Sequence, residues 1–144
     1  MPPTLATNPD PKPAPPQITE QEVLSALESW MSAVNAHDSG RVQNLYAPDA
    51  VLLPTLAGGL RDTSATRKQY FDAFTARPNL TGRYMSPPKI KLEGTVAVVG
   101  GFYDFAFTHD GKTEHLPARF SFVLEETPKG PLIVHHHSSR VPAP

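Results

Sequence analysis

The apolar residues of this chain change period once, from helical in its first half to strand-like in its second. Within Ile18 to Asp38, Val23, Leu27, Trp30, Met31 and Val34 recur three or four residues apart, which predicts one amphipathic helix. Thr19 followed by Glu22 forms a capping box at its start, and Gly40 is a terminator. Ser39 then caps a short second helix carrying Val42, Leu45 and Tyr46, and Val51 to Thr55 reads as a short strand. After a loop marked by Gly58 and Gly59, a third helix runs from about Thr63 to Ala76, with Tyr70, Phe71 and Phe74 on one side, until Pro78 stops it. From there the pattern is extended: Lys89 to Glu93, Thr95 to Thr108, Lys112 to Glu126 and Leu132 to Val141 are strand candidates. His109-Asp110-Gly111 and Pro128-Lys129-Gly130 supply turns, and Gly100 with Gly101 suggests a bulge. Helices first and an antiparallel meander afterwards predict an α+β class. The expected shape is a cone, with a strongly curved sheet wrapped around the long helix and a pocket at the wide end.

The first residues obey a different rule. Met1 to Gln17 contains Pro2, Pro3, Pro9, Pro11, Pro13, Pro15 and Pro16, and only Met1 and Leu5 as large apolar residues. Such a stretch cannot continue a helix and has little to bury, so 1–17 is expected to be a disordered arm ahead of a single domain at 18–142. It lacks the apolar centre of a signal peptide. Either it is a linker left after a signal peptide is removed, which implies a periplasmic protein, or it is the tail of a cytoplasmic one. The net charge of −1, with no basic stripe, argues against a nucleic-acid partner. No apolar run approaches the roughly 20 residues of a membrane-spanning helix. The absence of cysteine excludes disulfides and thiolate metal sites.

Several stretches resemble known families. Trp30, then Asn35-Ala36-His37-Asp38, then Leu45-Tyr46-Ala47-Pro48-Asp49-Ala50-Val51-Leu52 is similar to the opening of nuclear-transport-factor-2-like proteins, above all the association domain of calcium/calmodulin-dependent kinase II. Val51-Leu52-Leu53-Pro54-Thr55 resembles a strand of the iota-class carbonic anhydrases, and Tyr70-Phe71-Asp72-Ala73-Phe74 their Tyr-Phe-x-x-Phe helix. His135-His136-His137-Ser138-Ser139-Arg140-Val141-Pro142 resembles their His-His-Ser-Ser-x-Met-Pro signature, with Val141 in the place of methionine, and Pro117 to Val123 resembles the strand before it. The resemblance runs from about Ile18 to Pro142. It implies reversible hydration of carbon dioxide to bicarbonate and a homodimer joined through the open sheet face. The class has been described with and without metal. The metal-free members imply Thr55, Tyr70, His136 and Ser138 as the catalytic set, with no cofactor.

The residues themselves leave alternatives open. Side chains alternate along a strand, so His135 and His137 share one face and His136 the other. The first two could hold zinc or manganese if His115 on the neighbouring strand supplied a third ligand, since His37 and His109 lie elsewhere. His136 and Ser138 instead offer an imidazole and a hydroxyl to one space, with His136 able to relay a proton near its ordinary pKa of about 6.5. A slip of one residue would substitute His137 and Ser139. Phe102, Phe105, Phe107, Phe120 and Phe122 supply apolar wall, with Phe102 assigned to substrate contact. Arg119 either pairs with Glu114 or Asp104 or lines the pocket and binds an anion. Arg61 is expected at a rim. Two other functions compete: a binding or assembly module, and an isomerase or polyketide cyclase with Asp104 as its base.

Overall fold

The computed structural model describes residues 16–144. Most of the proline-rich arm expected over 1–17 therefore lies outside the described residues. The elements in order are α1 (Glu20–Asn35), α2 (Ser39–Gln43), β1 (Tyr46–Leu53), α3 (Ser64–Thr75), β2 (Thr81–Tyr84), β3 (Lys89–Glu93), β4 (Val96–His109), β5 (Lys112–Thr127) and β6 (Gly130–Arg140). The α+β class holds. The sheet runs β1-β6-β5-β4-β2, with β3 also paired to β4.

Helix α1 starts on the capping box of Thr19 and Glu22 and buries Val23, Leu27, Trp30, Met31, Ala33 and Val34 against the sheet. Its last turn is tied to β2 by Asn35, whose side-chain amide donates to the Gly82 carbonyl at 3.0 Å and whose Oδ1 accepts from the Gly82 N–H at 2.7 Å. Gly82 has to lack a side chain, because a Cβ there would lie 2.7 Å from the Phe105 ring and 2.8 Å from the Met31 sulfur. The short β2 carries no large apolar alternation, and so gave no strand signal of its own.

Several features differ from the sequence expectations. Leu45 and Tyr46 are not on the second helix, which ends at Gln43, and the strand expected from Val51 begins already at Tyr46. The sheet is mixed, because β1 pairs with β6 in parallel. The pair Gly100 and Gly101 makes no bulge: β4 and β5 stay in register through Gly100↔Ser121 and Gly101↔Phe120. Gly101 instead makes room for the Phe120 ring, which would lie 2.9 Å from a Cβ. The irregularities fall elsewhere. One lies between Val123 and Leu124, whose partners on β6 are His135 and Ile133, so Val134 is an extra residue on β6. The other lies in β1, between Tyr46 and Val51.

The break in β1 leaves carbonyls that a regular ladder would have paired. Arg67, on α3 and 3% exposed, takes them: its guanidinium donates to the carbonyls of Ala50 at 2.6 Å and of Ala47 and Pro48 at 3.0 Å each. Burial lowers its pKa, and the carbonyl fork compensates for the lost hydration. Arg67 thus fixes the segment that leads into Thr55. Arg67→Lys, which replaces the fork by a single point charge, is expected to lower the unfolding free energy by about 1–3 kcal/mol in urea titration. An unchanged midpoint would contradict this role.

Candidate active site

The inner face of the sheet is aromatic. Tyr103, Phe105 and Phe107 on β4 and Phe120 and Phe122 on β5 are all buried, and Trp30 of α1 packs on Tyr103, Phe105 and Phe122. Trp30 stacks on Tyr103 with ring centroids 5.7 Å apart and planes 9° apart. Into this wall β6 projects two polar residues, His136 at 2% exposure and Ser138 at 6%. The extra residue Val134 decides this parity. Ile133 is also buried, so plain alternation from it would have turned His135 and His137 inward. His137 is exposed, and His135 and Ser139 are half-buried on the other face.

His136 stacks on Phe122, with centroids 4.1 Å apart, and both its nitrogens are engaged. Nδ1 lies 2.8 Å from the Tyr46 hydroxyl and Nε2 lies 3.1 Å from the Tyr103 hydroxyl. The direction of these bonds follows from the far end. The Trp30 indole can only donate, and it donates to the Tyr46 oxygen at 3.0 Å. Tyr46 then uses its own proton on Nδ1, and the Nε2–H of His136 donates to Tyr103. Tyr103 donates to the Ser138 hydroxyl at 2.5 Å, and Ser138 in turn hydrogen-bonds Thr55. The opposite tautomer would strand the Tyr46 hydroxyl proton in the core. The chain therefore runs Trp30, Tyr46, His136, Tyr103, Ser138, Thr55, and it ends on a Ser138–Thr55 hydroxyl pair that spends one proton on its own bond, in either direction, and keeps the other as a donor.

That end opens on a narrow chamber. Thr55, Tyr70, His136 and Ser138 all line it, with Trp30 and Tyr103 behind and Leu52, Phe74, Phe105 and Leu116 among its apolar walls. It offers about 10 Å³ to the centre of a water-sized molecule, roughly the space one water needs.

Burial governs the ionisation of the set. It drives His136 down to about 3, helped by repulsion from His135 and His137. The expected role of His136 as a proton relay near its ordinary pKa is thereby corrected, because the imidazole stays neutral at working pH. Burial also raises Tyr46 and Tyr103. It pushes Tyr70 up to about 12, against the opposing pull of a backbone bond at Leu56 and of the Arg77 and Arg61 guanidiniums. Every hydroxyl at the chamber is thus protonated near neutral pH.

Other expectations are corrected. Phe102 and Arg119 do not reach the chamber. They are cross-strand partners on the opposite sheet face, where they share a shallow groove with His137 and Ser139, and Phe102 is 47% exposed. Arg119 makes no ion pair among the described residues. Asp104 also faces outward, bonded to His115 at 3.0 Å, so it is not a base for the chamber. The proposed third metal ligand fails on distance along the strand. His115 pairs with Ala106, whereas His135 and His137 pair with Val123 and Ser121, six and more residues farther along β5. Among the described residues no three His, Cys, Asp or Glu side chains converge as a metal site would require.

Three functional side chains were missed: Tyr103, Tyr46 and Trp30. Their signal was present as polar tips within apolar stripes. A buried Tyr or Trp needs a partner for its O–H or N–H, and Tyr103 alternates with Phe105 and Phe107 on a core strand.

The neutral His136 has a consequence for stability. Its folded pKa lies below its unfolded value near 6.5, so the unfolded chain binds the extra proton between those values. Its contribution is complete above about pH 6.5 and is lost as pH falls toward about 3, at up to about 1.4 kcal/mol per pH unit. His136→Gln is expected to flatten the fall in urea midpoint between pH 7 and pH 4.5. An identical slope in both proteins would contradict a buried neutral imidazole.

Residues 19–142 match the family profile of the calcium/calmodulin dependent protein kinase II association domain. A crystal structure from Xanthomonas campestris, classed as such an association domain, is 31% identical, covers 94% of this chain and 97% of its own, and superposes with a TM-score of 0.79. A nuclear transport factor 2-like superfamily protein from Salmonella enterica is 21% identical over 85% of this chain and 91% of its own, with a TM-score of 0.77. The kinase II hub of S. rosetta is 21% identical over 90% of this chain and all of its own, with a TM-score of 0.73. No curated protein matches the sequence. These likenesses carry a family and a fold, and no activity. The chain belongs to the calcium/calmodulin-dependent protein kinase II association domain family, built on the nuclear-transport-factor-2-like fold.

Proposed function

We propose that the protein is a carbonic anhydrase of the iota type, hydrating carbon dioxide to bicarbonate with hydrogen-bonding side chains in place of a metal. One observation carries the reading. Thr55 after β1, Tyr70 on α3, and His136 and Ser138 on β6 come from three separate stretches of sequence and line one chamber sized for a very small molecule. Its apolar walls suit carbon dioxide and its polar end suits one water; with room for about one water as it stands, the chamber has to widen to hold both.

In this reading the water oxygen adds to the carbon of carbon dioxide. One C=O electron pair moves onto oxygen, and the water's spare proton passes to solvent water. The Thr55–Ser138 hydroxyl pair donates its one free proton to the oxygen that gains charge. The pair is held in place by the chain reaching back to Trp30, so the donor is positioned before the charge develops. Tyr70, protonated at neutral pH, adds a second donor. His136 holds Tyr103 in line and stores no proton, which makes it a positioning residue. Zinc or manganese does not suit the chamber, because its one imidazole has both nitrogens occupied and no carboxylate lines it. A cyclase or isomerase acting on a bulky apolar substrate suits it less, given the size of the chamber and the outward position of Asp104.

Thr55→Ala, Ser138→Ala and Tyr70→Phe are each expected to lower the hydration rate about tenfold or more, equivalent to about 1.4 kcal/mol or more of lost transition-state stabilisation. Stopped-flow assays of folded variants check this. Unchanged rates in all three would remove the assignment.

Assembly is a second reading, compatible with the first, and one surface favours it. The outward sheet face exposes Val98 and Phe102, 43% and 47% accessible, on either side of Gly100 on β4. A homodimer joined through this face is expected. Phe102→Glu should shift the sedimenting mass toward the monomer and leave hydration unchanged, and an unaltered mass would contradict this interface.

A further inference from the structure

A second cavity, of about 250 Å³, lies on the solvent side of the chamber, between α3 and the loop after β1. Tyr70 and Phe74 line both spaces and so form the wall between them. The cavity is apolar on one side, through Leu56 and Ala73, and cationic on the other, through Arg61 and Arg77.

The two arginines lack the partners that such residues ordinarily keep. Neither makes an ion pair among the described residues. Arg77 lies with its guanidinium carbon 4.7 Å above the Phe107 ring, which fixes the plane of the fork. Its Nε is buried with no hydrogen-bond partner. Arg61 is held through one terminal nitrogen, 3.1 Å from both the Thr66 carbonyl and Gln69 Oε1. Both guanidiniums pull the Tyr70 hydroxyl toward ionisation, so their fields meet at the dividing wall. Two fixed guanidiniums beside an apolar hollow repel each other, and a bound anion would relieve that repulsion. A planar oxyanion matches the fork geometry of a guanidinium's exposed terminal N–H groups. The volume admits a one-carbon oxyanion or a short-chain carboxylate and falls below the usual range for larger ligands.

We propose that this cavity is a binding site for a small planar monoanion of the carboxylate class, held by Arg61 and Arg77 beside Tyr70, with bicarbonate as its occupant in function. The identity of that occupant rests on the carbon dioxide reading, whereas the site itself does not. Bicarbonate formed in the chamber would pass Tyr70 into this cavity on its way out, and bicarbonate arriving for dehydration would be captured here first.

The test is an NMR titration of the full chain with bicarbonate and with acetate, at constant ionic strength against chloride. Saturable shifts are expected at Arg61, Tyr70 and Arg77. The dissociation constant should rise about tenfold or more in Arg77→Gln and in Arg61→Gln, each checked for folding by its melting curve. Arg77→Lys, which keeps the charge and loses the fork, should fall between. In kinetics, Arg61→Gln should raise KM for bicarbonate dehydration by a larger factor than it changes kcat. Shifts that do not saturate, or equal affinity in the wild type and both glutamine variants, would overturn the site. Acetate binding without bicarbonate binding would overturn bicarbonate as the occupant. Arginine-dependent binding of both anions in a protein with no hydration activity would support the site and count against the carbon dioxide reading alone.

Discussion

The structure turns on one buried imidazole. His136 is enclosed by Phe122, Trp30 and two tyrosines, and a polar ring in such a place is tolerated only when both nitrogens are bonded. Tyr46 and Tyr103 meet that need from opposite sides of the fold. To do so, β1 must run beside β6, β4 must present Tyr103 on its inner face, and α1 must bring Trp30 to Tyr46. The mixed sheet, the parity of three strands and the docking of the long helix are thus coupled through a few hydrogen bonds in an aromatic core.

The same bonds give the chamber its character. A neutral imidazole between two phenols transmits orientation rather than charge, and the indole at the far end fixes that orientation in one sense. The polar end of the chamber is therefore a held hydroxyl pair with one proton to donate, surrounded by apolar walls. Such a site suits chemistry in which negative charge grows on an oxygen. It would serve poorly where a base must hold a proton. The cationic cavity beyond Tyr70 extends the same logic outward, with fixed positive charge placed where a small anion would leave.

Much of this was legible in the sequence. Helix α1, its capping box, α3 and the three long strands follow from apolar period and turn residues. Thr55, Tyr70, His136 and Ser138 were reached through resemblance and do line one chamber. What escaped depended on tertiary context. The extra residue at Val134 leaves no mark in the pattern, yet it decides which histidines face inward. The short β2 is ordered by Asn35 and by the close approach at Gly82. Gly100 and Gly101 read as a bulge because a missing Cβ and an irregular strand look alike in sequence. Phe102 and Arg119 face away from the chamber because the register of β4 and β5 sets their parity, and no local pattern shows that register. The pairing of Tyr46 and Tyr103 with His136, 90 and 33 residues apart along the chain, had no local signature.

The most direct test is carbon dioxide hydration by the wild-type protein after exhaustive chelation, followed by stopped flow with metal analysis of the same sample. Rates well above the buffer background, unchanged when zinc or manganese is restored, are the result expected from a site of hydrogen-bond donors. No rate above background with or without metal would contradict a catalytic chamber. A rate that appears only when metal is returned would contradict the donor array as the source of catalysis.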